Sequence, residues 1–290
     1  MNLDFAVNSD IPVLKRIWAD VFDESREVLD RFFGDLFMPE NTVVERVNGE
    51  VVSVVYMLPC AQSDGNRGMY IYAVATDPHF RGKGYATKLL NDANSVAKQR
   101  GFAFTVLVPG EPSLFEFYRK KGFDKTIKIK QITVSKDEMI SLSKNNKSDI
   151  QFSNVENIED MFDIRWKYFS ESGSFIEFPK DHLEYGCFAL DFYGKKLFEI
   201  DDKSLQGYMI CDKIGDDTFI KEFAVGSEIF DSVADCLCEN YPESDNFIFN
   251  LSVKSGLGFG YCEEKEYGLV YELIADGFID DDPFLGMVLD

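Results

Sequence analysis

The segment AVATDPHFRGKGYATKLL, residues 73–90, sets two glycines and two cations between an alternating apolar run and a stretch of helical spacing. Pro78 cannot donate to a strand ladder, so the strand ends near Thr76 and a helix starts at Lys83 or Gly84. Arg81, Gly82, Lys83, Gly84, Tyr85, Ala86 and Thr87 then lie at a helix N-terminus, where backbone N–H groups lack intrahelical acceptors and the helix dipole adds partial positive charge. Glycine lets the backbone approach a ligand closely, so such a turn suits a phosphate or diphosphate. It is not the Walker pattern, and it lacks the third glycine of a dinucleotide fingerprint. Downstream, SLFEFYRKKGF (113–123) puts Tyr118 beside Leu114 and Phe115 on an amphipathic stretch, as either a core aromatic or a proton donor.

The elements around these segments alternate. LDFAV is a short strand candidate, and a helix with Asp10 as N-cap follows in DIPVLKRIWADVF, with a second in ESREVLDRFFGDLF. NTVVERVNGEVVSVVYMLPC is a hairpin about Asn48-Gly49, because that pair accepts the positive φ angles of a two-residue turn. GMYIYAVAT is a strand, GKGYATKLLNDANSVAKQRG a helix, FAFTVLV a strand, EPSLFEFYRKKG a helix and FDKTIKIKQITV a strand, which is mixed α/β order. The polar SLSKNNKS, Ser141 to Ser148, is the linker candidate, dividing the chain into residues 1–140 and 149–290. Beyond it, VENIEDMFDIRWKYF and GSEIFDSVADCLCEN are helical, QGYMICDKIGDDTFIKEFAV is a hairpin and NFIFNLSV a strand. Aligning Val225 with Val74 gives an offset of 151 and Phe247 with Phe102 an offset of 145, so the second half repeats the first in degenerate form with its glycine turn shortened away.

Charge is divided just as unevenly. Up to Ser148 there are 20 Lys and Arg against 19 Asp and Glu, and the chain totals of 30 and 51 leave 10 against 32 beyond it. The acidic half is a solvated surface or one wall of a site for a cationic substrate. With no basic stripe able to neutralise several phosphates, nucleic acid is not an expected partner. No cationic leader and no apolar run of about 20 residues is visible, so neither secretion nor membrane insertion is expected. The six cysteines form no C-x-x-C pair, and with only His79 and His182 there is no zinc spacing. A reduced, cytoplasmic location fits, and assembly with further copies of the chain is left open.

The segment VATDPHFRGKGYATKLL resembles the coenzyme A binding segment of the GCN5-related N-acetyltransferases, whose pattern [RQ]-x-x-G-x-[GA] is met by Arg81, Gly84 and Ala86. SLFEFYRKKGF resembles the same family's later helix and Gly-Phe turn, 37 residues from Arg81 to Tyr118. The resemblance covers residues 1 to 135 well and the rest loosely. It implies an α/β fold with a catalytic N-terminal domain and a smaller degenerate copy on the substrate side, with one acetyl-CoA per chain. It implies that Val74, Ala75 and Thr76 line the pantetheine arm with Arg81 to Thr87 on the diphosphate, and that Tyr118 protonates the departing thiolate while a small primary amine attacks directly. The tandem members similar to the enhanced intracellular survival (Eis) acetyltransferases use a C-terminal carboxylate, which would make Asp290 catalytic; docking of the apolar tail FLGMVLD as an edge strand is the alternative. Those proteins are longer, so aminoglycoside acetylation is not carried over. The rival expectation is a non-catalytic acyl-CoA-binding or regulatory protein.

Overall fold

The computed structural model describes residues 3–143, 151–154, 158–202, 205–275 and 282–286. The N-terminal elements are α1 (Ile11–Phe22), α2 (Arg26–Asp35), β1 (Thr42–Val47), β2 (Glu50–Gln62), β3 (Arg67–Thr76), α3 (Tyr85–Gln99), β4 (Phe104–Leu107), α4 (Pro112–Arg119) and β5 (Lys125–Ser135). They continue as α5 (Lys136–Leu142), β6 (Gln151–Asn154), α6 (Ile158–Ser172), β7 (Ile176–Glu177), α7 (Lys180–Phe192), β8 (Lys196–Asp202), β9 (Leu205–Ile214), β10 (Asp217–Ala224), α8 (Phe230–Asn240), β11 (Asn246–Leu251) and β12 (Tyr261–Glu272).

The local expectations for the first half hold in most places. Asn48 and Gly49 adopt φ 54° and 87°, closing the β1–β2 hairpin. The Ser25 hydroxyl caps α2 by accepting from the Val28 N–H at 3.2 Å. Two details differ. LDFAV is reduced to a single bridge, Phe5 to Val43, because the chain turns into α1 directly afterwards. Asp10 stands at the N-cap of α1 without capping it, because its carboxylate is taken by Arg46 at 2.6 and 2.9 Å and by the Val7 N–H at 2.8 Å.

That pair sets a pH dependence. The Arg46 guanidinium holds the Asp10 carboxyl below its ordinary value of 3.8. A carboxyl depressed in the folded state contributes stability that is fully present above its unfolded value and is lost as pH falls through the folded one. Urea midpoints measured from about pH 5 down to about pH 3 are expected to fall less steeply in Arg46→Gln than in the parent.

One sheet runs through both halves, in the order β1-β2-β3-β4-β12-β5-β11-β10-β9-β8-β6, with β7 paired to β2. β12 inserts between β4 and β5, antiparallel to each (Val270 opposite Val106 and Tyr261 opposite Thr133), and β11 takes the other edge of β5. The degenerate repeat is visible: β10 and β11 are parallel around α8 as β3 and β4 are around α3. Between strand and helix the first copy has residues 77–84 and the second only 225–229. In the second, the Glu228 carboxylate packs over Gly226, so an acid occupies the region where the first copy has its glycine turn. One face of the N-terminal sheet is covered by α1, α2 and α7 through Trp18, Phe32 and Tyr185; Leu89, Ala93 and Ala97 of α3 cover the other.

Candidate active site

The site begins with a fault in β3. On one side, β3 pairs with β4 only from Gly68–Phe104 to Tyr70–Val106, although it runs on to Thr76. On the other, its register with β2 slips between Tyr72 (opposite Tyr56) and Ala75 (opposite Val54), leaving Ala73 and Val74 without partners. Ala73 takes φ 46°, a left-handed conformation that costs an alanine about 1–2 kcal/mol and is held by the paired residues on both sides. Beyond the bulge the strand is pinned again: the Ser53 hydroxyl donates to the Ala75 carbonyl at 2.8 Å and lies 2.7 Å from the Thr76 hydroxyl. The backbone at Val74 therefore faces a wedge between two strands that have parted.

The turn that follows is open. Asp77 braces it, accepting from the His79 N–H at 3.0 Å and pairing with Arg16 at 2.9 Å. Burial pushes the Asp77 carboxyl up, but that N–H and the Arg16 guanidinium outweigh it and hold the group low. Arg81 donates from Nε to the Thr76 carbonyl at 3.4 Å, and Lys83 lies 4.7 Å from the Phe80 ring centre. Gly82 and Gly84 have φ 78° and 83°, and a methyl group added at either would meet open space. Gly84 is the N-cap of α3 with no side chain capping it, and Arg81 to Gly84 are exposed while Tyr85, Ala86 and Thr87 are half-buried. Lys88 is engaged by Glu45 at 2.6 Å and Asp92 at 3.0 Å. Among the described residues Arg81 and Lys83 make no ion pair, so two cations and the first amides of α3 remain for an anion. His79 is exposed on the approach to this turn.

Tyr118 lies on α4, half-buried, its ring edge-on to Phe117 at 5.2 Å and to Phe123 at 6.0 Å. Its carbonyl accepts from the Phe123 N–H at 3.3 Å as the chain turns through Gly122 at φ 90°. Burial pushes the phenol up to about 12, so it stays protonated at neutral pH. Tyr118 and Val74 pack on the same apolar cluster with α3, which puts the phenol and the parted strand on one side of the sheet.

Residues 3–126 match the model of a family described as acetyltransferase (GNAT) domain. Over that span the chain is similar to a GNAT domain. Over 97% of its length the chain also matches solved structures, covering 74 to 76% of theirs. These include a probable N-acyltransferase from Enterococcus faecalis (14% identity, TM-score 0.76, 74% of that chain). A GCN5-related N-acetyltransferase from Anabaena variabilis matches at 15% identity and TM-score 0.75, over 97% of this chain and 75% of that one. Eis1 from Mycobacterium abscessus matches at 10% identity and TM-score 0.69, over 97% of this chain and 76% of that one. At such identities the likeness establishes the fold, α/β with a large mixed sheet. The comparison with curated proteins found no match.

Within the matched span the residues singled out from sequence fall in two groups, Val74 to Thr76 on β3 and Arg81 to Thr87 on the turn, with Tyr118 on α4. Asp290 lies outside the described residues. Of the tail, Phe284 makes one parallel bridge to Phe175, with its carbonyl accepting from the Ile176 N–H at 2.9 Å, and Leu285 is buried against Gly268. No helix among the described residues is long and apolar enough to cross a membrane, and no cluster of His, Cys, Asp and Glu there could hold a metal.

Three features were missed from sequence. The bulge at Ala73 has no local signal, since alanine is neither a turn former nor a usual left-handed residue. The Arg165–Glu222 pair is buried beneath the tail at 3.0 Å; Met161, Arg165 and Phe169 share one face of α6 at four-residue spacing, so a charge on an apolar stripe was its signal. The aromatic residues Tyr72 and Tyr185, which interact through their hydroxyls, come from opposite halves of the chain and are joined only by folding.

Proposed function

We propose that the protein is an acetyl-CoA-dependent N-acyltransferase that modifies a primary amine of a small cationic substrate. The observation that carries this is the pairing of a parted β3–β4 wedge with an uncapped, glycine-lined helix N-terminus immediately after it. The donor supplies a thioester-activated acyl group. Arg81, Lys83 and the amides from Gly82 to Thr87 hold its diphosphate, and the open space over Gly82 and Gly84 is the cradle a larger residue would fill. Val74, Ala75 and Thr76 line the arm, and the main chain at Val74, which has no register partner on either neighbouring strand, stabilises negative charge on the carbonyl oxygen through its N–H. Tyr118 donates a proton to the departing sulfur. The second half closes the substrate side and, with Glu228 over Gly226, binds no second donor.

The test combines binding and turnover. Calorimetry should detect coenzyme A binding to the parent protein, and free thiol should appear from acetyl-CoA with some member of a panel of primary amines. Gly84→Val forces a β-branched residue to φ 83° and fills the cradle, so donor affinity should drop by about tenfold or more with the fold retained. Binding without thiol release for every amine would identify a non-catalytic acyl-CoA-binding protein, and no binding at all would defeat both readings.

A further inference from the structure

On the face of the sheet covered by α1, α2 and α7, opposite α3, a carboxylate lies near aromatic rings drawn from both halves of the chain. Glu24 follows α1, where Asp23 turns the backbone at φ 55°. Its Oε1 accepts from the Ser25 N–H at 2.8 Å and from the Tyr193 hydroxyl at the end of α7. Oε2 has no partner among the described residues, and neither Asp23 nor Glu24 makes an ion pair there. The nearby cations are used elsewhere: Arg16 by Asp20 and Asp77, Arg26 by Asp30.

Around this carboxylate, Phe22, Phe192 and Tyr193 are 48%, 38% and 50% exposed. Large rings left open together on a surface mark a contact site. They lead inward: Phe22 is 6.4 Å from Trp18, and Trp18 is 5.3 Å from Tyr72. Tyr72, stacked on Tyr70 at 6.0 Å, is the last paired residue of β3 before the bulge at Ala73 and Val74. Burial pushes the phenols of Tyr72 and Tyr185 up, so they stay neutral and the negative charge of this region belongs to Glu24. A carboxylate with a spare oxygen, near exposed aromatic rings, is the chemistry that recognises an ammonium ion. The charge on Glu24 acts on the phenols of both Tyr72 and Tyr185, which places the carboxylate near the end of the paired part of β3.

We propose that Glu24, held in place by Tyr193 from the second half, is a specificity-determining residue that anchors a second ammonium group of the acceptor. Aliphatic diamines are then preferred over monoamines of the same chain length. The inference rests on the acyl-transfer reading for the position of the reacting amine, and it gives the acidic second half a defined part in the site.

The experiment compares 1,5-diaminopentane with n-pentylamine, measuring binding by calorimetry and turnover by thiol release at saturating acetyl-CoA. The diamine should bind about tenfold or more tightly than the monoamine. Glu24→Gln, which keeps the shape and removes the charge, should cut affinity and kcat/KM for the diamine by at least about tenfold more than for the monoamine. Tyr193→Phe should reduce the preference by a smaller factor, through loss of orientation. Equal affinity for the two amines, absence of diamine binding, or an equal loss of both in Glu24→Gln would each overturn the proposal. Diamine binding that depends on Glu24 with no thiol release would keep the ammonium site and remove the acyl-transfer reading; thiol release indifferent to Glu24 would do the reverse.

Discussion

Tyr118→Phe is expected to lower kcat by about a hundredfold to ten-thousandfold, the range of a lost general acid, while leaving acetyl-CoA affinity nearly unchanged. The ring loses one oxygen and keeps its edge-on contacts with Phe117 and Phe123, so the fold of α4 has no reason to change. A loss confined to kcat and kcat/KM assigns the hydroxyl to the transition state; a comparable loss of donor affinity would assign Tyr118 to packing. The pH profile offers a second check. An acid must be protonated to act, and burial pushes this phenol up to about 12. Activity that depends on Tyr118 is therefore lost only as pH rises toward that value, and any alkaline limb near neutrality belongs to another group.

The second large effect is on stability. Arg165 and Glu222 are 2% and 0% exposed, joined Nε to Oε1 at 3.0 Å, with the Tyr208 hydroxyl donating to the same carboxylate oxygen. Arg165 lies 5.5 Å from the Phe169 ring and 5.6 Å from that of Phe175, and its Nη2 is buried without an acceptor among the described residues. Glu222 sits at the register slip of β10 against β9. Glu222→Leu removes the partner of a buried guanidinium and should cost about 3–5 kcal/mol, seen as a fall in Tm on the order of 10 °C. Adding Arg165→Met removes the stranded charge, so the double variant should recover most of the loss. A single variant as stable as the parent, or a double variant worse than the sum of its parts, would show that the pair does not hold the second half together.

The two effects arise from segments of very different legibility. The glycine turn, the Asn48-Gly49 hairpin and the helix bearing Tyr118 could be read directly, because helix starts, tight turns and amphipathic stripes depend on residues within a few positions of one another. The shortened second turn could be read from the unequal offsets of the repeat. β12 was harder. Its first half, YCEEKE, is charged and largely exposed, and only Gly268, Leu269 and Val270 near its end are buried, so it lacks the continuous apolar run of an internal strand.

By itself the sequence determined the α/β order, the glycine turn at Arg81 to Thr87 and the placement of Tyr118 one strand and one helix later, since each follows from local backbone chemistry. Tertiary structure alone decided that β12 enters the sheet between β4 and β5, that Ala73 is forced left-handed, and that Glu24 meets Tyr193 and Arg165 meets Glu222. Those outcomes join residues 57 to 169 positions apart or depend on which neighbours a strand finds on its two edges. Pairing energy between distant segments settles them, and no short window of residues contains it.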